Sequence, residues 1–397
     1  MGHRGARHGE HAPAPRRARA RRRPGRLRRR RARSPRRRGR AWGHGRAAAS
    51  RGRGGAGRRA QPGPRGAFRD RRSRGGDLVE PAARNGEEDR VSTSHRPLPA
   101  PGSFGAWVLA SRPATLPVAV APVAVGAAVA STFGSLRPIA VVAALLGALL
   151  IQIGTNFAND VFDHEKGADD AQRIGPPRAV QKGLLTPSAV RWGMALAFGA
   201  AVLTGIYLAF VGGPVIIAIG VLSILSGIAY TGGPYPLGYN GLGDLFVFVF
   251  FGPVAVVGTT WVAIGQAPAG AFVASIPVGA LATAVLVINN VRDRVGDTRT
   301  GKRTLVVRYG RAFGVTFHAA LHVAAGLAPI VGVLAGWLPA LSLVALPTLA
   351  LGFGVTRVLA TTDDGAKLNG LLARQAKVLL AFSAILAAAI TCSPWLG

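Results

Sequence analysis

Ten acidic residues follow position 100, and seven of them fall in two short stretches. The first stretch reads Asn156-Phe-Ala-Asn159-Asp160-Val-Phe-Asp163-His-Glu-Lys166-Gly167-Ala-Asp169-Asp170, and the second Asn289-Asn290-Val-Arg292-Asp293-Arg-Val-Gly-Asp297. If each is helical, Asn156 with Asp160, Asn159 with Asp163, Asn289 with Asp293 and Asp293 with Asp297 are i,i+4 pairs that project from one face. Grouped carboxylates repel one another, and at the edge of hydrocarbon they require a cation or a water-filled cavity to compensate them. Oxygen donors without a cysteine or histidine cluster favour Mg²⁺, which binds through a few carboxylates together with substrate phosphates. The expected metal ligands are Asn156, Asn159, Asp160, Asp163, Asn289, Asp293 and Asp297, with the four aspartates as the catalytic set. Lys166, Arg173, Arg178, Lys182, Arg292, Lys302 and Arg303 lie near these stretches in sequence and could hold diphosphate oxygens that a metal leaves free.

These residues must be positioned by long apolar elements. A bilayer core of ~30 Å needs about 20 apolar residues in a helix. Nine segments satisfy that criterion: residues 113–133, 138–157, 190–211, 214–230, 245–263, 270–290, 313–335, 338–356 and 377–393. Both acidic stretches sit at the same end of an even-numbered span, which suggests an internal pseudo-repeat. The loops on that side carry Lys166, Arg173, Arg178 and Lys182, then Arg292, Arg294, Arg299, Lys302, Arg303, Arg308 and Arg311, then Arg357, Lys367 and Arg374. The opposite loops offer only Arg137. The positive-inside rule therefore places the charged loops and the N-terminus in the cytoplasm.

The chain of 397 residues divides at about position 100. Residues 1–100 hold 31 Arg and no Lys against seven acids, with almost no large aliphatics, and are expected to be a disordered extension through about residue 97. Such a segment could attract phosphates, but it lacks interleaved aromatics for base stacking and is read as dispensable to the folded part. No apolar h-region follows its charges before residue 101, so it is not a secretory signal. Residues 101–397 form the membrane domain. Its one cysteine, Cys392, excludes an intramolecular disulfide. Gly and Ala at three- to four-residue spacing are read as close helix packing, and His318 and His322 as interhelical hydrogen-bonding residues.

On these motifs the chain resembles the UbiA superfamily of intramembrane aromatic prenyltransferases. That family carries an NDxxDxxxD-like motif after its second helix and a DxxxD motif after its sixth. Asp293 to Asp297 matches the second directly. The first departs, with Gly167 where the family has its last Asp and the next acid at Asp169. The stretch through Lys166 and Asp169 to Arg178, the segment Gly301-Lys302-Arg303-Thr304-Leu305, and the loop Tyr230-Thr-Gly-Gly-Pro-Tyr235 with Gly241-Leu-Gly-Asp244 are similar to the branch that prenylates dihydroxynaphthoate. The resemblance covers roughly residues 105–395. It implies an all-α integral membrane fold, nine transmembrane helices in a bundle around a central cavity. It also implies a polyprenyl diphosphate and 1,4-dihydroxy-2-naphthoate as substrates, two Mg²⁺ ions, loss of CO₂ and demethylmenaquinone as product. Tyr230, Tyr235 and Arg178 become candidates for binding the acceptor. A monomer is expected, with no nucleic-acid partner for the folded domain.

Other readings keep part of this picture. The same fold could serve 4-hydroxybenzoate or homogentisate as acceptor. A cation-coupled transporter would place its acids near the bilayer midplane at broken helices. An RNA- or lipid-binding arm on a membrane anchor would need residues 1–97 for activity.

Overall fold

The computed structural model describes residues 98–134, 136–168 and 174–396, and all regular structure among them is helical. The expected extension through residue 97, Asp169 and Arg173 lie outside the described residues.

Eleven α-helices follow in order: α1 Phe104–Ser111, α2 Pro117–Ser131, α3 Pro138–Glu165, α4 Pro187–Gly212, α5 Pro214–Ala229, α6 Gly243–Val249, α7 Ala255–Ile264, α8 Ala269–Arg299, α9 Leu305–Leu334, α10 Leu349–Thr361 and α11 Gly365–Leu396. Proline occupies the first turn of α2, α3, α4 and α5. There its missing N–H would have had no helical partner and its fixed φ already suits the helix. Thr186 and Thr304 cap α4 and α9 by accepting the backbone N–H three residues on.

These helices coincide with the nine expected segments, of which eight reach the length of a bilayer crossing and one, α5, is shorter. Seven apolar segments are individually long enough to cross a bilayer: α3, α4, Gly243–Ile264, α8, α9, Ala340–Thr361 and α11. An eighth is the pair Phe104–Thr115 and Pro117–Ser131, bent by 51°. The ninth is α5, sixteen residues long. The fifth span is interrupted by a π-helical turn, Phe250–Val254, where Pro253 cannot donate to the α-ladder.

Boundaries depart from the expected ones where charge begins. The second and sixth spans were expected to stop at residues 157 and 290, yet α3 runs to Glu165 and α8 to Arg299. At 1.5 Å per residue α3 is ~42 Å long and α8 ~46 Å. Both exceed the ~30 Å hydrocarbon thickness, so their last turns lift the acidic stretches out of the apolar core as continuous helix. The ninth span likewise starts at Gly365, twelve residues before the expected 377.

α8 is the most enclosed span and forms the central post, lying against α9, α11, α2 and the segment Gly243–Ile264. Its neighbours approach closely because side chains are missing where backbones meet. A Cβ on Gly279 would lie 2.7 Å from the Phe248 carbonyl oxygen, and one on Gly126 of α2 would collide with that of Val256. α3 and α4 form an antiparallel hairpin on the other side of the cavity. His318 and His322 are fully buried between α9 and α10: His318 Nδ1 lies 2.7 Å from Thr356 Oγ1 and His322 Nδ1 2.8 Å from the His318 carbonyl. His318 thus makes the interhelical bond expected of it, whereas the bond of His322 stays within α9.

Candidate active site

A cavity of about 1620 Å³ opens between the helices, and the ends of α3 and α8 meet at its polar mouth. Its deeper wall is apolar, with Val118, Ile151, Leu208, Phe246, Phe251 and Leu286 among the lining.

Within the first acidic stretch the residues facing the cavity are Asn156, Asn159 and Asp163, at i, i+3 and i+7. Asn156 donates from Nδ2 to the Ser111 carbonyl at 2.8 Å and to Thr115 Oγ1 at 3.0 Å. This ties the motif to the bend between α1 and α2. Asn159 Oδ1 accepts from the Thr231 hydroxyl at 2.9 Å. Asp160 departs from its expected place as a cavity-facing ligand paired with Asn156. It is turned about 100° from Asn159, does not line the cavity, and accepts the Ala179 N–H on Oδ2 at 3.1 Å. Its other oxygen is buried without a hydrogen-bond partner. The chain after α3 folds back onto that side of the helix, and Asp160 holds it there.

Asp163 is almost fully buried and meets three donors: Arg178 Nη2 at 2.7 Å, the Tyr239 hydroxyl at 2.8 Å and Lys302 Nζ at 3.2 Å. Arg178 also donates to the Asn159 carbonyl at 2.5 Å. Lys302 is placed by the turn that ends α8. Gly301 adopts φ +76°, a conformation that costs a residue with a Cβ, and the Lys302 N–H then donates to the Asp297 carbonyl at 2.8 Å. The ammonium comes to rest 3.2 Å from Asp163, 4.0 Å from Asp297 and 4.6 Å from the centre of the Tyr239 ring. One cation thus touches both acidic motifs.

On α8, Asn289, Asn290, Asp293 and Asp297 line the cavity. Arg292 forks onto Asp293 through Nε at 2.7 Å and Nη2 at 2.6 Å, while Nη2 reaches Asn289 Oδ1 at 2.6 Å and Nη1 reaches Asn369 Oδ1 at 2.8 Å. Arg292, expected as a direct substrate ligand, lines the cavity; each of its three nitrogens meets a protein oxygen, and it sets the position of Asp293.

The remaining expected ligands divide. Tyr230 lines the cavity, and burial, reinforced by the carboxylates of Asp244, Asp163 and Asp297, pushes its phenol well above the usual range. Lys166 stays off the cavity wall: its ammonium donates to the Thr231 carbonyl and sits 4.8 Å from the Tyr239 ring centre. Desolvation and then the neighbouring Lys302 push Lys166 below its ordinary value, against the pull of Asp163. Lys182, Arg303 and Tyr235 are exposed and do not reach the cavity. The Arg303 backbone N–H nevertheless holds the Tyr239 carbonyl at 2.7 Å.

Besides Arg299 at the end of α8, four contributors escape the sequence reading. Tyr239 bridges Asp163, Lys166 and Lys302; its signal is an aromatic between the two quoted segments at 230–235 and 241–244, a kind of residue more readily taken for an interface anchor. Arg112 lines the cavity from a left-handed backbone at φ 51°, one residue before the expected start of the first span. Asn290 adjoins Asn289 and lines the wall with it. Asn369 comes from α11 and carries no motif.

Among the described residues, Asp163, Asp293 and Asp297 are the acids lining the mouth, against Arg112, Arg178, Arg292, Arg299 and Lys302. Among these residues cations outnumber acids, as a strongly anionic ligand requires. The acids cluster at one end of the spans, unlike the midplane placement a transporter would need. The donor set suits a hard divalent cation: it is made of oxygens only, and Asp163 and Asp297 already share one cation, the Lys302 ammonium. Among the described residues no three His, Cys, Asp or Glu side chains converge on a single point.

The UbiA prenyltransferase family model matches residues 119–373. The chain is 39% identical over 263 residues to a 1,4-dihydroxy-2-naphthoate octaprenyltransferase of Mycobacterium tuberculosis, covering 64% of this chain and 87% of the relative. It is 37% identical over 261 residues to the enzyme of the same name from Haemophilus influenzae, covering 62% and 83%. Its fold is similar to that of a UbiA homologue from Archaeoglobus fulgidus solved with DMAPP and Mg²⁺, at a TM-score of 0.50 and 14% identity over 71% of this chain and 99% of that one. With the family match spanning more than half its length, from α2 to α11, and enclosing both acidic motifs, this chain belongs to the UbiA prenyltransferase family.

Proposed function

We propose that this protein transfers a polyprenyl group from polyprenyl diphosphate to 1,4-dihydroxy-2-naphthoate with release of CO₂. The observation that carries this reading is the joining of an apolar cavity to a mouth where two aspartate motifs and an excess of cations meet. The isoprenoid tail lies against Val118, Leu208, Phe246 and Phe251, and the diphosphate lies at the polar end.

Arg178, Lys302, Arg112 and Arg299 are the cations that reach diphosphate oxygens, and charge-assisted contacts of this kind gain strength as the leaving group becomes more anionic. Asn159, Asp163, Asn289, Asp293 and Asp297 would hold Mg²⁺, which supplies charge neutralisation of the leaving diphosphate. Arg292 keeps Asp293 oriented and Tyr239 keeps Asp163 oriented. The allylic C–O bond breaks and its electron pair leaves with diphosphate. The apolar wall excludes water, which would otherwise capture the allylic cation as an alcohol. The electron-rich ring forms the new C–C bond through the carbon beside its carboxylate. The ring carbon that loses CO₂ takes up a proton as the prenylated carbon gives one up. The product is the reduced, dihydroxy form of demethylmenaquinone. Tyr230 keeps its phenolic proton at neutral pH and can donate a hydrogen bond to an acceptor oxygen.

The chain is a multi-pass membrane protein. We infer that it sits as a monomer in the cell membrane with the cation-rich mouth toward the cytoplasm. Membranes containing the protein, supplied with a polyprenyl diphosphate and dihydroxynaphthoate with Mg²⁺ or with EDTA, should form prenylated product and CO₂ only with Mg²⁺. Product from 4-hydroxybenzoate or homogentisate in preference to dihydroxynaphthoate would overturn the acceptor assignment.

A further inference from the structure

The Lys302 ammonium occupies the place where the two aspartate motifs come nearest to each other. It lies 3.2 Å from Asp163 and 4.0 Å from Asp297, and its side chain is largely enclosed. Neither aspartate has freedom to avoid it. Asp163 is pinned on its other sides by Arg178 and the Tyr239 hydroxyl, and Asp297 sits one helical turn beyond Asp293, which Arg292 grips. A buried carboxylate needs a counter-charge when it is ionised, and Asp163 and Asp297 face one cavity. Lys302 supplies it here.

We propose that Lys302 is an exchangeable counter-ion that couples binding of the divalent cation to binding of the diphosphate. This inference rests on the prenyl-diphosphate reading above and deepens it. A cation arriving alone must displace the ammonium from Asp163 and Asp297, leaving Lys302 without an anion at a desolvated site. Diphosphate arriving alone must draw Lys302 away and leave the carboxylates uncompensated. When both arrive, the metal takes the carboxylates and Lys302 takes a diphosphate oxygen, so every charge stays matched. Each ligand therefore raises the affinity of the other, by equal factors.

The side chain is built for the move. Lysine carries a compact ammonium on a flexible four-carbon stem, whereas arginine would lock onto a carboxylate as a planar fork. The Tyr239 ring lies under the ammonium at 4.6 Å and offers a face that attracts the cation. Tyr239 is itself fixed by its hydroxyl bond to Asp163 and by the Arg303 N–H on its carbonyl. Lys302 lines the cavity, so the path from carboxylate to diphosphate crosses open space.

The test is binding of Mn²⁺ to detergent-solubilised full-length protein by equilibrium dialysis, read as manganese held on the protein side in excess of the protein-free side, without and with inorganic diphosphate. Wild type, Lys302→Gln and Lys302→Arg are compared, each first shown monodisperse by size exclusion. In wild type, Mn²⁺ alone should bind weakly and diphosphate should tighten it. Lys302→Gln should bind Mn²⁺ alone about tenfold more tightly than wild type, and diphosphate should then improve it by a much smaller factor. Lys302→Arg should bind Mn²⁺ alone no more tightly than wild type. The proposal is overturned if Lys302→Gln binds Mn²⁺ alone as weakly as wild type, or if diphosphate tightens Mn²⁺ equally in both. If the coupling proves independent of Lys302 while Mn²⁺ still binds and prenyl transfer persists, the counter-ion role fails and the functional reading stands. Should no variant bind Mn²⁺ even with diphosphate, both fail together.

Discussion

Asn369 on α11 accepts from Arg292 Nη1 at 2.8 Å and donates from its own Nδ2 to the Ile174 carbonyl at 3.2 Å. A single amide therefore joins the chain that follows the first acidic motif to the arginine that orients the second. The contact spans 77 residues on one side and 195 on the other.

Replacing Asn369 by Ala should loosen Arg292 and, through it, Asp293. The expected loss is about tenfold in kcat/KM for the prenyl diphosphate, as for a lost charge-assisted hydrogen bond of ~1.5 kcal/mol, while KM for the aromatic acceptor changes little. Steady-state kinetics with each substrate varied in turn would show it. An equal rise in both KM values would argue against a role centred on the diphosphate end.

The two aspartates of the first motif should differ sharply. Asp163→Asn leaves Lys302 and Arg178 facing a neutral amide at the cavity mouth, and transfer should fall by about 100-fold or more. Asp160→Asn keeps an acceptor for the Ala179 N–H and never touches the cavity, so its activity should stay within about tenfold of wild type, with a lowered melting temperature. Activity and thermal unfolding of the two purified variants decide the matter. Equal loss in both would restore Asp160 to the ligand set.

Tyr230 gives a pH signature. Its phenol is held protonated above the ordinary value near 10, so the folded state binds more protons than the unfolded state once pH exceeds that value. The stability it contributes is complete below pH ~10 and is lost as pH rises toward the raised folded value. Melting temperature should therefore fall less steeply above pH ~10 in Tyr230→Phe than in wild type. Parallel curves would show that the phenol is not shielded.

Removing residues 1–97 should leave prenyl transfer within about twofold of the full chain, since none of the described site residues lies there. The comparison needs only membranes carrying equal amounts of each form. Loss of activity would assign the Arg-rich segment a part in the reaction.

The sequence made the nine spans legible because uncharged apolar stretches of bilayer length have few other uses. Charge clustering made the two motifs legible for the same reason. Rotation about a helix axis was harder to read. Asp160 and Asp163 both fit an i,i+4 pairing, and only the fold of residues 174–185 against α3 decides that one faces backbone and the other the cavity. Proximity in sequence also misled for Lys182, Arg303 and Tyr235, whose side chains point to solvent although their neighbours serve the site. Tyr239 and Asn369 act through partners 76 and 77 residues away, a distance that no local spacing encodes.

The brevity of α5 bears on the membrane around the enzyme. Sixteen residues span only ~24 Å, several ångströms less than the ~30 Å of an average hydrocarbon layer. The loop that follows is tied through Tyr239 to Asp163 at the end of α3, so the lipid thins beside α5 to meet it. Acyl-chain length in the host bilayer thereby sets how far the lipid must deform beside the aromatic edge of the site.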